Sequence, residues 1–344
     1  MVSGLSAPKI EIIQGIPHRR IKIEKSIYTI FWGQGSRKDD LIVKLKVFSM
    51  TPIVSDFSLG QMPIGLGCMS LPEDFNEARQ VLSKARDLGI QFFDTADLYQ
   101  NGLNEENLGR FFQGSRDQVK LASKVGNQLN PDGKSWAWNP SKQYILEAVE
   151  KSLQRLKTNY LDLYQLHGGT LEDPWEETLE AFEILKKQGK ILAYGISSIR
   201  PNVIRKVMSL NLPTTVMMQY SPLDRRPEEE IFPLLEKTQT QVLVRGGMTK
   251  GILLDKPVSG FLDLSAEKVE EIKREIHASD FSPEAILIKF SLIEKAVGMM
   301  VIGASNEQQL ERNLKAFEES KSIPGEFILS LKHKFTPNKY LDHR

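Results

Sequence analysis

From Met62 onward the chain alternates short apolar runs with amphipathic stretches of helical period, and it does so eight times. Strands that alternate with helices bury both faces of a parallel sheet, which excludes a β-sandwich or a helical bundle. Eight such repeats close the sheet into a (β/α)8 barrel, the TIM barrel. The first run is Met62 to Leu66, followed by a helix with Ala78, Val81, Leu82, Ala85 and Leu88 at helical spacing and Gly89 as its stop. Runs ending at Asp94, Lys124 and His167 come next, and Leu192 to Ile196, Thr215 to Met218, Val242 to Val244 and Met299 to Ile302 supply strands five to eight. The third helix has Ser141 as N-cap and sets Ile145, Ala148, Val149, Ser152, Leu153 and Leu156 on one face. Ser282 and Pro283 open the helix before the last, and Leu310, Leu314 and Phe317 mark the final barrel helix.

At 344 residues the chain exceeds the roughly 250 typical of one barrel, so a barrel with an N-terminal extension is more economical than two unrelated domains. Residues 1–49 stand outside the alternation and are rich in lysine and arginine. They read as an irregular extension with a strand around Leu41 to Val47, because aromatics are few and no amphipathic period suits a membrane or nucleic-acid arm. Met50 offers an internal start, with Val54 to Phe57 and Gln61 to Pro63 expected as a small hairpin under the barrel floor. Residues 50–320 are assigned to the barrel and 321–344 to a C-terminal tail.

A net charge of +1 argues against a nucleic-acid binder, which needs a concentrated basic face. The one cysteine, Cys68, excludes an intramolecular disulfide and a CxxC site and suits a reducing cytoplasm. No apolar signal segment opens the chain, and no run approaches the ~18 apolar residues of a membrane span. The expectation is a soluble cytoplasmic protein without membrane or nucleic-acid partners, whose sequence carries no signal for an oligomeric state.

A barrel keeps its chemistry at the C-terminal ends of its strands. Four reactive side chains occupy such positions here: Asp94, Tyr99, Lys124 and His167. A phenol has a reference pKa of about 10, so Tyr99 needs help to protonate a carbonyl oxygen at neutral pH. Lys124 beside it would stabilise the phenolate, and Asp94 would keep that lysine charged and aimed, acting as an orienter rather than a base. His167 could donate a hydrogen bond to the same carbonyl. These roles fit a hydride transfer.

The segments Asp94-Thr95-Ala96-Asp97-Leu98-Tyr99, Ser123-Lys124-Val125-Gly126 and Leu161 to His167 together resemble the signature set of the aldo-keto reductases, and the likeness runs from about Pro63 to Phe317. The resemblance implies an NADPH-dependent reductase of aldehydes and ketones, with Tyr99 as general acid, Lys124 and Asp94 supporting it and His167 orienting the carbonyl. It also implies a cofactor track. Family members hold the nicotinamide carboxamide with a Ser-Asn pair after strand five, matched here by Ser197 and Ser198, with serine replacing the asparagine. Gln219 on strand six is the next contact. Where many members stack a tyrosine on the nicotinamide, this chain has Arg245, which could stack its planar guanidinium or bind the pyrophosphate. Gly246 and Gly247 allow close backbone approach to phosphates. Gly303, Ser305, Gln309 and Asn313 match the loop for the adenosine 2′-phosphate and adenine, but the basic side chain that often meets the phosphate is missing. Helix N-terminal amides, Ser305 and Arg312 are the available substitutes. NADPH is the family default and NADH the alternative.

Gly65-Leu66-Gly67 invites a dinucleotide-fingerprint reading, yet Ser70 stands where the third glycine belongs and no open Rossmann half follows. Gly67 and its neighbours read instead as an approach to the nicotinamide, with Cys68 and Met69 lining the pocket, or as ordinary core packing. Trp136 and Trp138 either wall a substrate site for a small carbonyl compound or staple their loop. A metal-dependent hydrolase would need several converging imidazoles and carboxylates, and of five histidines only His167 ends a strand. A nicotinamide-binding redox sensor or regulatory subunit with little turnover is the remaining alternative to an enzyme.

Overall fold

The structure is a computed structural model that describes residues 20–23, 26–29, 57–130 and 132–344. The chain divides into two units, Met1–Ser55 and Asp56–Arg344. In the first, Arg20–Ile23 pairs antiparallel with Ser26–Thr29. The strand expected around Leu41 to Val47 and the start of the expected hairpin, residues 54–56, lie outside the described residues. Among the described residues Gln61 to Pro63 forms a bend rather than a strand.

In the second unit eight parallel strands close a barrel. They are β1 (Ile64–Gly67), β2 (Phe92–Asp94), β3 (Lys120–Val125), β4 (Leu161–Leu166), β5 (Ile191–Ser197), β6 (Thr215–Gln219), β7 (Gln241–Arg245) and β8 (Val297–Gly303). Every strand pairs with its neighbour in sequence, and β8 pairs with β1 to complete the circle. The helices are α1 (Phe75–Asp87), α2 (Leu103–Phe111), α3 (Lys142–Arg155), α4 (Trp175–Lys187), α5 (Pro201–Leu210), α6 (Pro227–Leu235), α7 (Ala266–His277), α8 (Pro283–Leu292), α9 (Glu307–Ser320) and α10 (Gly325–Lys334). Helix α7 is additional to the repeat. Its neighbour α8 buries Ile286, Leu287, Ile288 and Phe290, more than one face's worth, as a helix covered on several sides should.

The expected punctuation is physical. Ser141 accepts the Tyr144 amide at 3.3 Å and Ser282 accepts that of Ala285 at 3.4 Å, so each satisfies a backbone donor that its helix leaves free. Gly89 ends α1 at φ 84°, with its amide on Arg86 O at 2.9 Å and that of Ile90 on Ala85 O at 3.0 Å, a Schellman closure.

Inside the barrel the two-residue period of a strand sorts side chains into levels. Phe92, Ala122, Leu163, Ala193, Met217, Leu243 and Met299 fill the lower level, large beside small, and Leu59 plugs them from below. Two residues further along the same strands stand Asp94, Lys124, Gln165, Gln219 and Arg245. The period that builds an apolar floor therefore also sets a polar level directly above it.

Residues beyond Ser320 form a docked helix. Ile328 and Leu331 of α10 are buried, and Lys332 inserts its ammonium beside Tyr220 Oη at 2.6 Å and pairs with Glu228 and Glu294. Arg225, after β6, donates to Lys332 O at 2.8 Å and Phe335 O at 2.6 Å, answering carbonyls at the end of α10 that have no helical partner. Asn338 accepts the Arg225 amide at 2.7 Å and donates to Leu223 O at 3.2 Å.

All eight strands and Leu59 lie beyond Met50. A chain beginning there is expected to keep its thermal midpoint and its turnover, and insoluble or inactive protein would assign residues 1–49 a part in the barrel.

Candidate active site

One cavity of about 1000 Å³ opens at the C-terminal ends of the strands. Asp94, Tyr99, Lys124 and His167 all line it. Lys124 is buried, with its ammonium 2.6 Å from Asp94 Oδ2, donating to Thr95 O at 2.8 Å and to Tyr99 Oη at 3.4 Å. Gln165, one level-mate away, donates to Asp94 Oδ1 at 3.4 Å. Lysine has no acceptor, so its contact with the phenol uses an oxygen lone pair and leaves the phenolic hydrogen free for another acceptor.

Electrostatics fixes the protonation states. Burial works to lower the Lys124 pKa, but Asp94 and Tyr99 together hold it above its ordinary value, so the ammonium stays charged. Burial raises the Tyr99 phenol, and the opposing pull of Lys124 does not reverse this. That differs from the simple expectation that the lysine lowers the phenol, because the site desolvates the phenolate more than one nearby cation compensates. The consequence is a phenol that carries its proton across the neutral range. His167 is pushed down to about 3 by burial and by the charges of Lys124 and Arg245, so its ring is neutral and offers one N–H.

Tyr99 sits on a turn that its own amide closes onto Ala96 O at 3.1 Å. Gln100 and Asn101, immediately after it, adopt left-handed φ values of 52° and 54°. Such geometry costs non-glycine residues about 1–2 kcal/mol each. Two side-chain hydrogen bonds offset it: Gln100 Nε2 to Leu71 O at 2.8 Å and Asn101 Nδ2 to Gly133 O at 3.0 Å.

The cavity walls include Gly67, Met69, Trp136, Trp138, Ser197, Ser198, Gln219, Arg245, Gly246, Gly247 and Gly303. Met69 and Trp136 are exposed, at 64% and 55%, and present apolar surface to the opening. Trp138 is both wall and staple. Its indole N–H donates to Asp173 at 2.9 Å, and its ring lies where a Cβ on Gly126 would be 2.6 Å away. Gly126 also holds φ 122°, so no other residue suits that position. Both tryptophans belong to a ribbon in which Asn127–Leu129 pairs antiparallel with Trp136–Trp138.

Cys68 is a correction. Its side chain is wholly buried in the core with Leu66 and Leu71 and lines no part of the cavity, because Cys68 opens the 3-10 turn that follows β1 and is packed into the core there rather than towards the barrel mouth. Burial pushes its thiol up, which makes it inert. The space beside Gly247 is taken by the terminal methyl of Met300, 2.3 Å from where a Cβ would stand, so a larger residue there would have to displace that flexible side chain. Ser305, Gln309 and Asn313 lie outside the cavity, on the continuation of β8 into α9. The Ser305 amide donates to Gln309 Oε1 at 3.0 Å, while Asn313 Nδ2 is buried without a partner.

Several lining residues had no clear sequence signal. Asn127 donates to His167 O at 3.2 Å and Arg200 to Gly169 O at 2.9 Å, both from loops or short ribbons without periodicity. Arg245 has the strand-end position and the inward parity, which were legible. Its guanidinium donates to Gln219 Oε1 at 3.4 Å, and no carboxylate lies within salt-bridge distance of it among the described residues.

The model of the Aldo/keto reductase family matches residues 63–326, the whole barrel. The chain belongs to that family. Among curated proteins it is 43% identical over 301 residues to the Bacillus subtilis (strain 168) protein named Uncharacterized oxidoreductase YqkF, covering 84% of this chain and 97% of that one. Among solved structures it is similar to the aldo-keto reductase AKR11C1 from Bacillus halodurans in its holo form, with a TM-score of 0.79 and 41% identity over 82% of this chain and 95% of that one. An aldo/keto reductase from Klebsiella pneumoniae, in complex with NADP and acetate, shares the fold at a TM-score of 0.66 and 24% identity, over 82% and 94% of the two chains. Membership makes this chain an oxidoreductase. Among the described residues no helix is long and apolar enough to cross a membrane, and no group of three or more His, Cys, Asp or Glu side chains could hold a metal ion.

Proposed function

We infer that this protein reduces an aldehyde or ketone to an alcohol by hydride transfer, with NADPH as the hydride source and Tyr99 as the general acid. The observation that carries the reading is the Lys124 ammonium, buried against Asp94 and donating to the Tyr99 oxygen. This arrangement stabilises the phenolate left behind when the proton goes to a carbonyl oxygen. Neutral His167 donates a hydrogen bond to the same oxygen as negative charge develops on it.

The residues present fit a nicotinamide dinucleotide. Arg245 brings a half-buried positive charge with no carboxylate in salt-bridge distance among the described residues, Asn313 brings a buried amide nitrogen without an acceptor, and Gly67 keeps the cavity clear at a point where a Cβ would crowd Val301 at 3.2 Å. By family resemblance Ser197, Ser198 and Gln219 hold the carboxamide, Arg245, Gly246 and Gly247 the ring or pyrophosphate, and Gly303, Ser305, Gln309 and Asn313 the adenosine end. Bound there, the cofactor supplies the hydride. Ser198 already accepts the Arg200 amide at 3.2 Å, and Gln219 donates to Asp224 at 3.0 Å, so both enter the site with fixed orientation. The Schizosaccharomyces pombe relative, 28% identical, carries NADP(+) in its name. Met69, Trp136 and Trp138 bound the space for the substrate's body.

Preference for NADPH over NADH should be mild. Arg312 lies 3.6 Å from Asp255 and 3.9 Å from Glu284, so its charge is already shared. A charge-assisted bond to a phosphate contributes about 1.5–3 kcal/mol and neutral donors such as Ser305 and Gln309 roughly half. Replacing one cation by neutral donors therefore softens discrimination by around tenfold. Fluorescence titration with both cofactors checks this: tighter NADH binding would refute it, and a preference beyond ~10³-fold would identify a cation on the phosphate. The reading as a whole is tested by turnover of a panel of aldehydes and ketones with each cofactor, and binding of cofactor without reduction of any carbonyl would leave the sensor alternative.

A further inference from the structure

Behind the catalytic groups, between β3, β4, α2 and α3, lies a second set of buried ionisable side chains that the reduction itself does not use. Glu105 on α2 is wholly buried, accepting from Ser123 Oγ at 2.5 Å and from Arg155 Nε at 2.7 Å. Asp97, 8% exposed, faces the same cluster, and its Oδ1 has no hydrogen-bond partner. Of the two carboxylates the guanidinium is bonded to Glu105 alone, and Asp97 feels both charges through space without a bond to either. The remaining groups facing Asp97 are Tyr144 from α3, Tyr164 from β4, whose hydroxyl is buried without a partner, and Lys124 from β3, already committed to Asp94.

Asp97 is tied to the chemistry through the backbone. Its amide donates to Lys124 O at 3.4 Å, and the turn closed by the Tyr99 amide on Ala96 O encloses it. Whatever moves Asp97 moves the segment that carries the phenol. We propose that Asp97 is a positioning residue for Tyr99: as a neutral acid it seats the Ala96–Tyr99 turn against the Glu105–Arg155 pair, and on losing its proton it is repelled by Glu105 and displaces that turn.

Burial, reinforced by Glu105 and opposed by Arg155, brings the Asp97 pKa up to about 7. None of the other site groups with a resolved shift titrates there: His167 lies far below, and Tyr99 and Lys124 lie above their already high ordinary values. A neutral-range step in turnover would therefore belong to a residue that touches neither substrate nor cofactor. The sign for stability follows from linkage. The folded state binds the Asp97 proton more tightly than the unfolded chain does. Its contribution is full below the ordinary carboxyl range, declines as pH rises towards about 7, and is gone above that.

The proposal rests on the assignment of Tyr99 as proton donor for its activity arm, but not for its stability arm. Misplacing a reacting group by about 1 Å can cost on the order of 10²-fold, so wild-type kcat at saturating cofactor is expected to fall by up to about that factor across a step near neutrality. Asp97→Asn, which mimics the neutral acid, should remove that step and keep the acid-side rate. The melting temperature of Asp97→Asn minus that of the wild type should grow between about pH 4 and 7 and then level off. Glu105→Gln serves if the first variant folds poorly, because loss of the neighbouring charge should move the step to lower pH. A flat wild-type profile, the same step surviving in Asp97→Asn, or an unmoved step in Glu105→Gln would each overturn the proposal. If carbonyl turnover is absent altogether, the reductase reading fails, and the melting series still decides whether Asp97 is the neutral-range group.

Discussion

Replacing Tyr99 with phenylalanine is expected to lower carbonyl reduction by at least ~10²–10⁴-fold, the usual contribution of a positioned general acid. Folding should be nearly unaffected. Among the described residues the only hydrogen bond to the phenol is the 3.4 Å contact from Lys124, and that ammonium keeps its shorter bonds to Asp94 and Thr95 O when the hydroxyl is gone. Cofactor affinity should also hold, since the nucleotide track runs along other strand ends. Steady-state turnover of a good aldehyde, paired with fluorescence titration of NADPH, separates the two effects. Turnover within a few-fold of wild type would remove Tyr99 from the mechanism.

Lys124→Met is expected to damage chemistry and fold together. It strips a fully buried Asp94 of its cation and leaves it with one long bond from Gln165. Breaking a buried ion pair on one side typically costs about 3–5 kcal/mol, since the remaining charge is uncompensated. Burial already raises the Asp94 pKa against the pull of Lys124, so without the lysine the carboxyl should take up a proton instead. The destabilisation should accordingly be least at acid pH and grow as pH rises through the new pKa. Adding Asp94→Asn should restore most of the stability and none of the turnover. Denaturant titrations of the single and double variants decide the matter, and a single variant as stable as wild type would show that the pair does not brace the site.

The barrel was legible because every strand carries an apolar run, and several announce themselves a second time by the reactive or polar residue that ends them. Asp94, Lys124 and Arg245 share inward parity with Phe92, Ala122 and Leu243, so once the floor is known the level above it follows. Cys68 falls outside that rule, since it opens the 3-10 turn after β1, and adjacency to Gly67 was misleading. The ribbon of Trp136 and Trp138 was not recognisable as strands, since three residues give no period to count. Its turn did leave a trace in Asp132, whose carboxylate accepts the amides of Lys134 and Ser135 at 2.9 and 3.0 Å. Helix α10 was readable in principle, with Ile328 and Leu331 three apart and both buried. The Asp97 cluster was beyond reach, because it joins four elements whose contacts arise only on closure of the barrel.

The docking of α10 also bears on the order in which the molecule can be assembled. Residues 332–338 leave the ribosome after all eight strands, yet they supply the acceptors for Arg225 and the partner for Leu223 O beside β6. Until those residues arrive, a nascent chain with a complete set of strands has Arg225 held by Glu228 alone, with one guanidinium nitrogen lacking its acceptors, and an unpaired Leu223 carbonyl in the loop that follows Gln219. Unsatisfied buried polar groups cost about 1–3 kcal/mol each, so that loop has little reason to take its final shape early. The loop beside Gln219 and Asp224 therefore receives its last polar partners only once the C-terminal residues are made, after the strands bearing Asp94, Lys124 and His167.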